Sequence, residues 1–449
     1  MSRSALSTVE KLAEAIRIPT ISYTDISRRE DAPLDAWERF LSEAFPAVHG
    51  ELEKEKLGPA AILFRWAGRD PALEPGALLA HFDVVPPGNP EEWRYPPFSG
   101  AIAEGYVWGR GAIDDKLSHI AILDAVEELL KAGYRPERTI YLCFGGDEEI
   151  GGAEGAGRIV DRLLRRGERL AWVLDEGGAV VEGALPGLGG AAALVGIAEK
   201  GHLNIRITAR REGGHASTPP GETAVSELAV AIRRVVAKPF PRRLTPTVQA
   251  FLTSVARELP FYKRLLLSLR PLTNSIILAF LAKHPQTRAL VRTTQAVTFI
   301  EGGNAENMLP EEASAVINIR LLHGETIDGA LEHVRKAVAN PGLAVALHGK
   351  WGNNGAVEAS PTDHPLLSLL QETVEGVFEE PKVHPYLMTG STDSARYTAV
   401  TRNIFRFVPM LLDNRELRRV HNADERVSLE NIERARRFYV AFIEGGAGS

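Results

Sequence analysis

Carboxylate and imidazole side chains recur at five points of the chain where apolar runs or glycine-rich stretches end. The motifs HFDVVP, GRGAIDDK, GDEEIGG, VLDEGG and RVHNADE supply, in that order, His81 with Asp83, Asp114 with Asp115, Glu148 with Glu149, Asp175 with Glu176, and His421. Imidazoles combined with carboxylates and without thiolates suit Zn²⁺, Mn²⁺ or Co²⁺. Three consecutive acids, 147–149, would repel one another at one point unless a cation is present. The pattern therefore predicts a metal site.

Each motif also has an ordinary structural explanation when it is taken alone. His81 could be a hydrogen-bonded core histidine, and the paired aspartates could favour the dipole of a following helix. His421 could be a solvent-exposed loop residue. To explain all five motifs in such ways would require several independent coincidences. Two divalent ions, in contrast, would be balanced by three ligating carboxylates and one hydroxide, and a nearly neutral site costs less to assemble.

Strand-like and helix-like segments alternate around these motifs. ALLAHFDVV, RTIYLCFGG and AWVLDEGG read as buried strands, and SHIAILDAVEELLKAG reads as an amphipathic helix. Such alternation predicts an α/β fold with a mostly parallel central sheet covered by helices on both faces. Ligands of these sheets lie beyond the carboxyl ends of the strands. His81, Glu148 and Glu176 would share that edge.

The middle of the chain has a different pattern, and 449 residues exceed the usual size of a single core. HLNIRITAR, QAVTFIEGG and SAVINIRLL read as strands, and TAVSELAVAIRRVVA reads as a helix. We expect an inserted α+β lid or dimerisation domain at residues 200–323, with one open sheet face. The α/β pattern then resumes, so the catalytic domain would comprise residues 1–199 and 324–449.

Composition excludes several classes of protein. A net charge of −6 without a Lys/Arg block argues against a nucleic-acid partner, and the lack of a phosphate-binding basic cluster disfavours a phosphoesterase. The single cysteine, Cys143, excludes an intrachain disulfide and a cysteine-rich metal site. The N-terminal residues lack the apolar core of a signal peptide, and Arg270, Pro271 and Asn274 interrupt the most apolar window. The sequence therefore predicts no membrane span and a cytoplasmic location.

The motifs, together with GGHASTPP, occur in the order typical of one enzyme family. The chain resembles the dinuclear-zinc aminoacylase and carboxypeptidase family, which includes acetylornithine deacetylase, succinyl-diaminopimelate desuccinylase and glutamate carboxypeptidases. LVRTTQAVTFIEGGNAENMLP and IFRFVPMLL resemble the branch that holds carboxypeptidase S and the N-fatty-acyl-amino acid synthase/hydrolase. The resemblance covers essentially the whole chain.

The resemblance implies two divalent metal ions, zinc before cobalt or manganese. The implied ligands are His81, Asp114 and Glu176 for one ion, and Glu149, His421 and the bridging Asp114 for the other. Glu148 would be the general base, and Asp83 would orient His81 through its far nitrogen. Asp115 follows the bridging aspartate, at a position that need not be acidic, and is not expected to be a ligand. The peptide bond between these two aspartates is often cis in the family.

The inserted domain contributes three further candidates. In the resemblance His215, from GGHASTPP, stabilises the oxyanion from the partner subunit of a homodimer. Asn307 and Arg320 match substrate-contacting positions, with Arg320 holding a carboxylate, although a solubilising charge on a strand would explain Arg320 equally well. One departure concerns the family's basic residue two positions after Asp393, because this chain has Arg396 one position later.

The implied activity is metal-dependent hydrolysis of the amide bond in N-acyl amino acids or short peptides, and its reversal in synthesis. A hydroxide between the ions would attack the carbonyl, and Glu148 would pass the proton to the leaving nitrogen. The alternatives are a dipeptidase or carboxypeptidase on unmodified peptides, and a non-catalytic binding relative, which the intact Glu148 disfavours. The apolar segment 251–290 is either a surface for a hydrophobic acyl chain or the core of a dimer or helix pair.

Overall fold

The computed structural model describes residues 3–183, 190–269, 272–349, 353–379 and 381–447. Its α-helices are, in chain order, α1 (Thr8–Ile16), α2 (Asp31–Ala44), α3 (Pro46–Glu51), α4 (Lys116–Lys131), α5 (Ala156–Arg165), α6 (Ala224–Ala237), α7 (Pro246–Ala256), α8 (Phe261–Ser268), α9 (Asn274–Leu281), α10 (Pro285–Leu290), α11 (Ile327–Val338), α12 (Pro365–Val377) and α13 (Leu429–Phe442). None of the helices in these ranges is long and apolar enough to cross a lipid bilayer.

The β-strands are, in chain order, β1 (Glu53–Lys56), β2 (Ala61–Trp66), β3 (Gly76–His81), β4 (Ala101–Ala103), β5 (Tyr106–Trp108), β6 (Ile140–Gly145), β7 (Trp172–Asp175), β8 (Val180–Glu182), β9 (Ala191–Glu199), β10 (Gly201–Arg210), β11 (Gly214–His215), β12 (Thr294–Gly302), β13 (Met308–Leu309), β14 (Glu312–Leu321), β15 (Ala344–His348), β16 (Lys382–Met388), β17 (Ile404–Arg406), β18 (Leu411–Leu412) and β19 (Arg426–Ser428). The 3₁₀ turns of the first of the two units described next include Glu148–Ile150 and Asp393–Ala399.

The chain forms two compact units. The first comprises Met1–Ile197, Ala359–Met388 and Thr392–Ser449, and the second comprises Ala198–Glu358 and Thr389–Ser391. The predicted return to the catalytic domain at residue 324 is therefore wrong, because α11 and β15 belong to the second unit. β15 pairs with β10, and α11 buries Ala330 and Val334 in the core of that unit.

The first unit is built on a 10-stranded sheet with strand order β1-β2-β6-β3-β7-β17-β9-β8-β18, in which β16 also pairs with β9. The central strands β6, β3, β7 and β17 are parallel, which confirms the predicted α/β class. Alternate residues of β3 enter different hydrophobic clusters: Leu78 packs with residues of α4 and α13, and Leu79 packs with residues of α5. Helices therefore cover both faces of the sheet.

Register brings the carboxyl ends of the central strands to one edge. His81, the last residue of β3, lies opposite Gly145 of β6, and Arg406 of β17 lies opposite Asp175 of β7. The 3₁₀ turn Glu148–Ile150 begins three residues after β6 ends. Because these strands are parallel, the predicted metal-binding side chains that follow three different strands lie at the same edge of the sheet.

The second unit contains a four-stranded sheet with the order β12-β14-β10-β15. Residues of α6 and α11 pack on one face of it, against Leu203 and Ile205 of β10. The alternate β10 residues, such as Asn204 and Arg206, are half-buried, as expected for a sheet with one open face. Lys200 ties the α7–α10 segment to this unit, because its ammonium group donates to the carbonyl oxygens of Ala289 at 3.1 Å and Arg292 at 2.8 Å.

Candidate metal centre

Two histidines and several carboxylates meet at the strand edge of the first unit. His81 Nε2 lies 2.9 Å from Asp114 Oδ1 and 3.6 Å from Glu176 Oε1. His421 Nε2 lies 3.0 Å from Asp114 Oδ2 and 3.2 Å from Glu149 Oε1. Each oxygen of Asp114 therefore faces a different imidazole, which is the arrangement that a carboxylate shared by two ions requires.

Potential ligand atoms from these residues are close enough to share an ion. One atom each from His81, Asp114 and Glu149 lie within 4.8 Å of one another, and so do atoms from His81, Glu148 and Glu176. All come from imidazoles or carboxylates, the donor types that zinc, cobalt and manganese accept. The structure thus brings together every ligand predicted from the sequence, and it places Glu148 beside them.

The electrostatics of the cluster favour a bound cation. Burial raises the pKa values of Glu148 and Glu176 well above their usual range, and neighbouring carboxylates raise them further. Burial alone would also raise the pKa of Asp114, but hydrogen bonds with His421 and His81 lower it. Hydrogen bonds with Asp114 and Glu149 raise the pKa of His421 to about 10. The His421 imidazole therefore keeps a proton among the carboxylates unless a metal cation displaces it.

Asp83 supports both His81 and the glutamate turn. His81 Nδ1 lies 3.0 Å from the backbone carbonyl oxygen of Asp83 and 3.4 Å from its carboxylate Oδ1. The same carboxylate accepts hydrogen bonds from the backbone amides of Glu148 at 3.1 Å and Glu149 at 3.2 Å, and from the hydroxyl of Ser22 at 2.7 Å. Asp83 therefore connects the His81 ring to the turn that carries the two glutamates.

Glu425 supports the loop that carries Asp114. Its buried carboxylate accepts hydrogen bonds from the backbone amides of Ile113 at 2.8 Å and Asp114 at 3.3 Å, and it pairs with Arg110 at 2.6 Å. The peptide bond between Asp114 and Asp115 is cis, as the resemblance implied. Sequence reasoning did not assign a role to Glu425, although it stands in the same HNADE motif as His421.

The GDEEIGG turn is stabilised by hydrogen bonds of groups that are not part of the metal cluster. Asp147 accepts hydrogen bonds from the backbone amides of Glu154 and Gly155, both at 2.7 Å. Arg396 Nε donates to the carbonyl oxygen of Gly151 at 3.0 Å, so the shifted arginine contacts this turn. Gly152 has φ +63°, and a β-carbon there would lie 2.0 Å from a carboxylate oxygen of Asp393, which explains why this position requires glycine.

The remaining predicted site residues lie in the second unit. His215 is exposed on β11, where its Nδ1 accepts a hydrogen bond from the Ser217 amide at 3.1 Å. The carbonyl oxygen of Asn307 accepts a hydrogen bond from the Ala216 amide at 3.0 Å, so Asn307 is adjacent to His215. Arg320 is half-buried on β14 and donates to the hydroxyl of Ser391 at 3.0 Å. Sequence reasoning did not single out Ser391, which follows directly on a glycine in the TGSTDS turn.

Comparison with known proteins identifies the family of this arrangement. Residues 77–445 match Peptidase family M20/M25/M40. The chain belongs to this family. The family membership that the sequence motifs predicted is thereby confirmed, and the chain is a metallohydrolase.

Curated relatives cover nearly the whole chain. N-fatty-acyl-amino acid synthase/hydrolase PM20D1 of Xenopus tropicalis is 37% identical over 440 residues, which is 97% of this chain and 85% of the relative. Probable carboxypeptidase S-like 2 of Dictyostelium discoideum is 36% identical, covering 98% and 85%. Carboxypeptidase S of Saccharomyces cerevisiae is 31% identical, covering 94% and 81%.

Solved structures share the fold. The M20 family metallo-carboxypeptidase Sso-CP2 from Sulfolobus solfataricus superposes with a TM-score of 0.70 at 18% identity, covering 99% of both chains. Human carnosine dipeptidase 1 superposes with a TM-score of 0.70 at 16% identity, covering 98% of this chain and 96% of the other.

Proposed function

We propose that the chain hydrolyses, and in the reverse direction forms, the amide bond between a hydrophobic acyl group and an amino acid. The observation that carries this proposal is the cluster around Asp114, whose two oxygens face His81 and His421 at 2.9 Å and 3.0 Å. The names of the relatives support the substrate class, because PM20D1 of Xenopus tropicalis is an N-fatty-acyl-amino acid synthase/hydrolase.

The residues present fit two divalent ions, and zinc suits the donor set. His81, Asp114 and Glu176 would hold one ion, and Asp114, Glu149 and His421 would hold the other. Bound there, such ions supply Lewis acidity and make water a nucleophile at neutral pH. His81 and His421 would bind as neutral rings, and the contact of His81 Nδ1 with Asp83 keeps its Nε2 free for this role.

Glu148 is the proposed general base. Its carboxyl is buried beside the cluster, and burial raises its pKa well above the usual range of a glutamate, which makes it a stronger base than an exposed carboxylate. It takes a proton from the attacking water and delivers it to the nitrogen of the amide. The bond from the carbonyl carbon to the water oxygen forms, the carbon–nitrogen bond breaks, and a carboxylic acid and an amine leave.

A substrate screen tests the activity and its alternatives. With Zn²⁺, Mn²⁺ or Co²⁺ added, we expect N-acyl amino acids with long acyl chains to be cleaved faster than N-acetyl and N-succinyl amino acids and unmodified dipeptides. Each buried CH₂ contributes roughly 0.8 kcal/mol, so kcat/KM should rise about fourfold per CH₂ until the binding surface is filled. Equal kcat/KM for acetyl and long-chain substrates would refute the hydrophobic preference. Faster cleavage of dipeptides would favour the dipeptidase, and no turnover at all would favour a non-catalytic relative.

Arg320 is the proposed clamp for the carboxylate of the amino acid. The contact with Ser391 holds its guanidinium beside a second hydrogen-bonding group, which a purely solubilising charge would not need. Arg320→Met should raise KM for acids by roughly 10–100-fold, because hydrogen bonds to charged groups contribute about 1.5–3 kcal/mol. Neutral amide analogues should be unaffected. Arg210→Met, which removes an exposed arginine from β10, is the matched control. An unchanged preference for acids over amides in Arg320→Met would refute the clamp.

His215 and Asn307 are proposed to contact the substrate across a homodimer, His215 at the oxyanion. An inactive His215→Ala chain mixed with an inactive Glu148→Gln chain should regain activity, since each hybrid dimer holds one complete site. Random exchange of equal amounts would restore roughly a quarter of the wild-type rate. If subunits exchange without any gain of activity, His215 does not act across the dimer.

A cytoplasmic location remains a prediction from the sequence.

A further inference from the structure

An outward-facing apolar surface lies along α8 and α9 of the second unit, within the apolar segment 251–290. The large apolar side chains that it exposes, with their exposed fractions, are Phe261 (79%), Tyr262 (68%), Leu265 (44%), Leu269 (47%), Leu272 (86%), Ile276 (58%) and Phe280 (50%). We refer to these seven residues as the outer apolar row. Residues Arg270 and Pro271 lie outside the described part of the chain. Exposure of this many large apolar groups within 20 residues indicates an interaction surface.

The outer apolar row is separate from the residues that pack α9 onto its own unit. Ile277 and Leu281, one turn apart, are each only 4% exposed, whereas their neighbours Ile276 and Phe280 form an exposed pair with the same spacing. A helix that is apolar on both sides is normally buried on both sides. Packing within the unit accounts for the inner pair alone, so the outer pair is left for an external partner.

The charge of this segment is opposite to that of the whole chain. The chain has 52 basic and 58 acidic residues. Between residues 257 and 292 the only acid is Glu258, and the basic residues are Arg257, Lys263, Arg264, Arg270, Lys283, Arg288 and Arg292. Of these basic residues, Arg257, Arg264, Lys283 and Arg288 are exposed, and so is Glu258. The partner of the outer apolar row should therefore be both apolar and anionic.

We propose that α8 and α9 dock on the surface of an anionic lipid bilayer. Phenylalanine, tyrosine, leucine and isoleucine side chains insert at the boundary between headgroups and acyl chains, and basic side chains meet the lipid phosphates. Such docking needs no spanning helix, and none is found in the described residues. It would bring the enzyme to the place where amphiphilic acyl compounds collect, but it does not depend on what the enzyme cleaves.

A second copy of the chain fits this surface less well. In a symmetric dimer through the outer apolar row, each surface would meet an identical one, and the basic residues of both copies would face each other. Like charges across an interface oppose association, whereas anionic phosphates compensate the same residues. Charge complementarity thus favours the bilayer.

Vesicle flotation of the purified, metal-loaded chain tests the proposal. We expect it to float with phosphatidylcholine vesicles that contain phosphatidylglycerol, and to bind pure phosphatidylcholine vesicles at least tenfold less. Leu272→Ser/Ile276→Ser/Phe280→Ser and, separately, Arg264→Glu/Lys283→Glu/Arg288→Glu should each lower the bound fraction by about tenfold or more, since each basic residue near an anionic surface adds appreciably to binding. Ile102→Ser/Leu164→Ser/Leu417→Ser, which removes three exposed apolar groups from the first unit, should bind as the wild type does.

Thermal unfolding of each variant shows whether it is folded, and sedimentation velocity reports its oligomeric state. The proposal is overturned if the wild type fails to float with anionic vesicles, or if both α8–α9 variants, shown to be folded, float as well as it does. It is also overturned if the apolar variant changes the oligomeric state while vesicle binding stays the same, because the surface would then join copies of the chain. Hydrolysis of soluble substrates without vesicles, measured on the wild type, reports on the proposed activity separately.

Discussion

The Glu148→Gln variant is expected to keep its bound metal but to turn over substrate about 10²–10⁴-fold more slowly than the wild type. Glutamine has nearly the shape of glutamate. The backbone amide of residue 148, which donates to Asp83 Oδ1 at 3.1 Å in the wild type, is also unchanged by the substitution. The amide side chain cannot accept the proton of the attacking water. The measurement is kcat together with the metal content of the same sample by elemental analysis.

Two neighbouring substitutions make this result specific. Glu149→Gln should weaken metal binding, because Glu149 Oε1 lies 3.2 Å from His421 Nε2 among the implied ligands. Glu154→Gln, in the same loop but with a carboxylate paired to Arg158 at the surface, should leave both turnover and metal content unchanged. Turnover of Glu148→Gln close to that of the wild type would require a different base, and loss of metal from it would make Glu148 a ligand.

Prolonged treatment with a chelator should abolish hydrolysis completely, and added Zn²⁺ should restore it. Burial raises the pKa values of Glu148 and Glu176, so the negative charge of these carboxylates is unfavourable when no cation offsets it. The metal-free chain should also unfold at a lower temperature, because a ligand that binds only the folded state stabilises it. Full activity in a preparation shown to contain no metal would contradict this account.

The position of the metal cluster could be predicted from sequence because its determinants are local. Apolar runs identify β3, β6 and β7, and parallel strands place their carboxyl ends at one edge. His81 and Glu148 therefore stand at predictable points of the fold. The assignment of ligands to two ions was predicted from the family resemblance and not from the strand pattern. Only the three-dimensional structure shows that the two oxygens of Asp114 face two different histidines.

Contacts between distant parts of the chain could not be predicted in this way. Glu425 hydrogen-bonds the amide of Ile113, and Arg396 hydrogen-bonds the carbonyl of Gly151, across separations of 312 and 245 residues. No periodicity in either segment specifies such a partner. Ser22 likewise reaches the Asp83 carboxylate from a loop without any distinctive motif.

The boundary of the second unit was misplaced for a related reason. The α11 and β15 segments have the same helix-then-strand pattern as the catalytic α/β elements. The antiparallel pairing of β15 with β10, which assigns it to the second unit, is a long-range property of the sheet. Three of the five β15 residues are exposed, as is common for an edge strand, so its sequence carries little information about which sheet it joins.

The most direct test of the metal centre is a titration of the metal-free chain with Zn²⁺, followed by the rate of hydrolysis of an N-acyl amino acid. Asp114 presents one oxygen to each of two imidazoles, and the surrounding carboxylates provide ligands on both sides. We therefore predict that activity rises until two equivalents of Zn²⁺ are bound per chain and then stays constant. Full activity at one equivalent per chain, with no further gain at the second, would contradict the dinuclear centre.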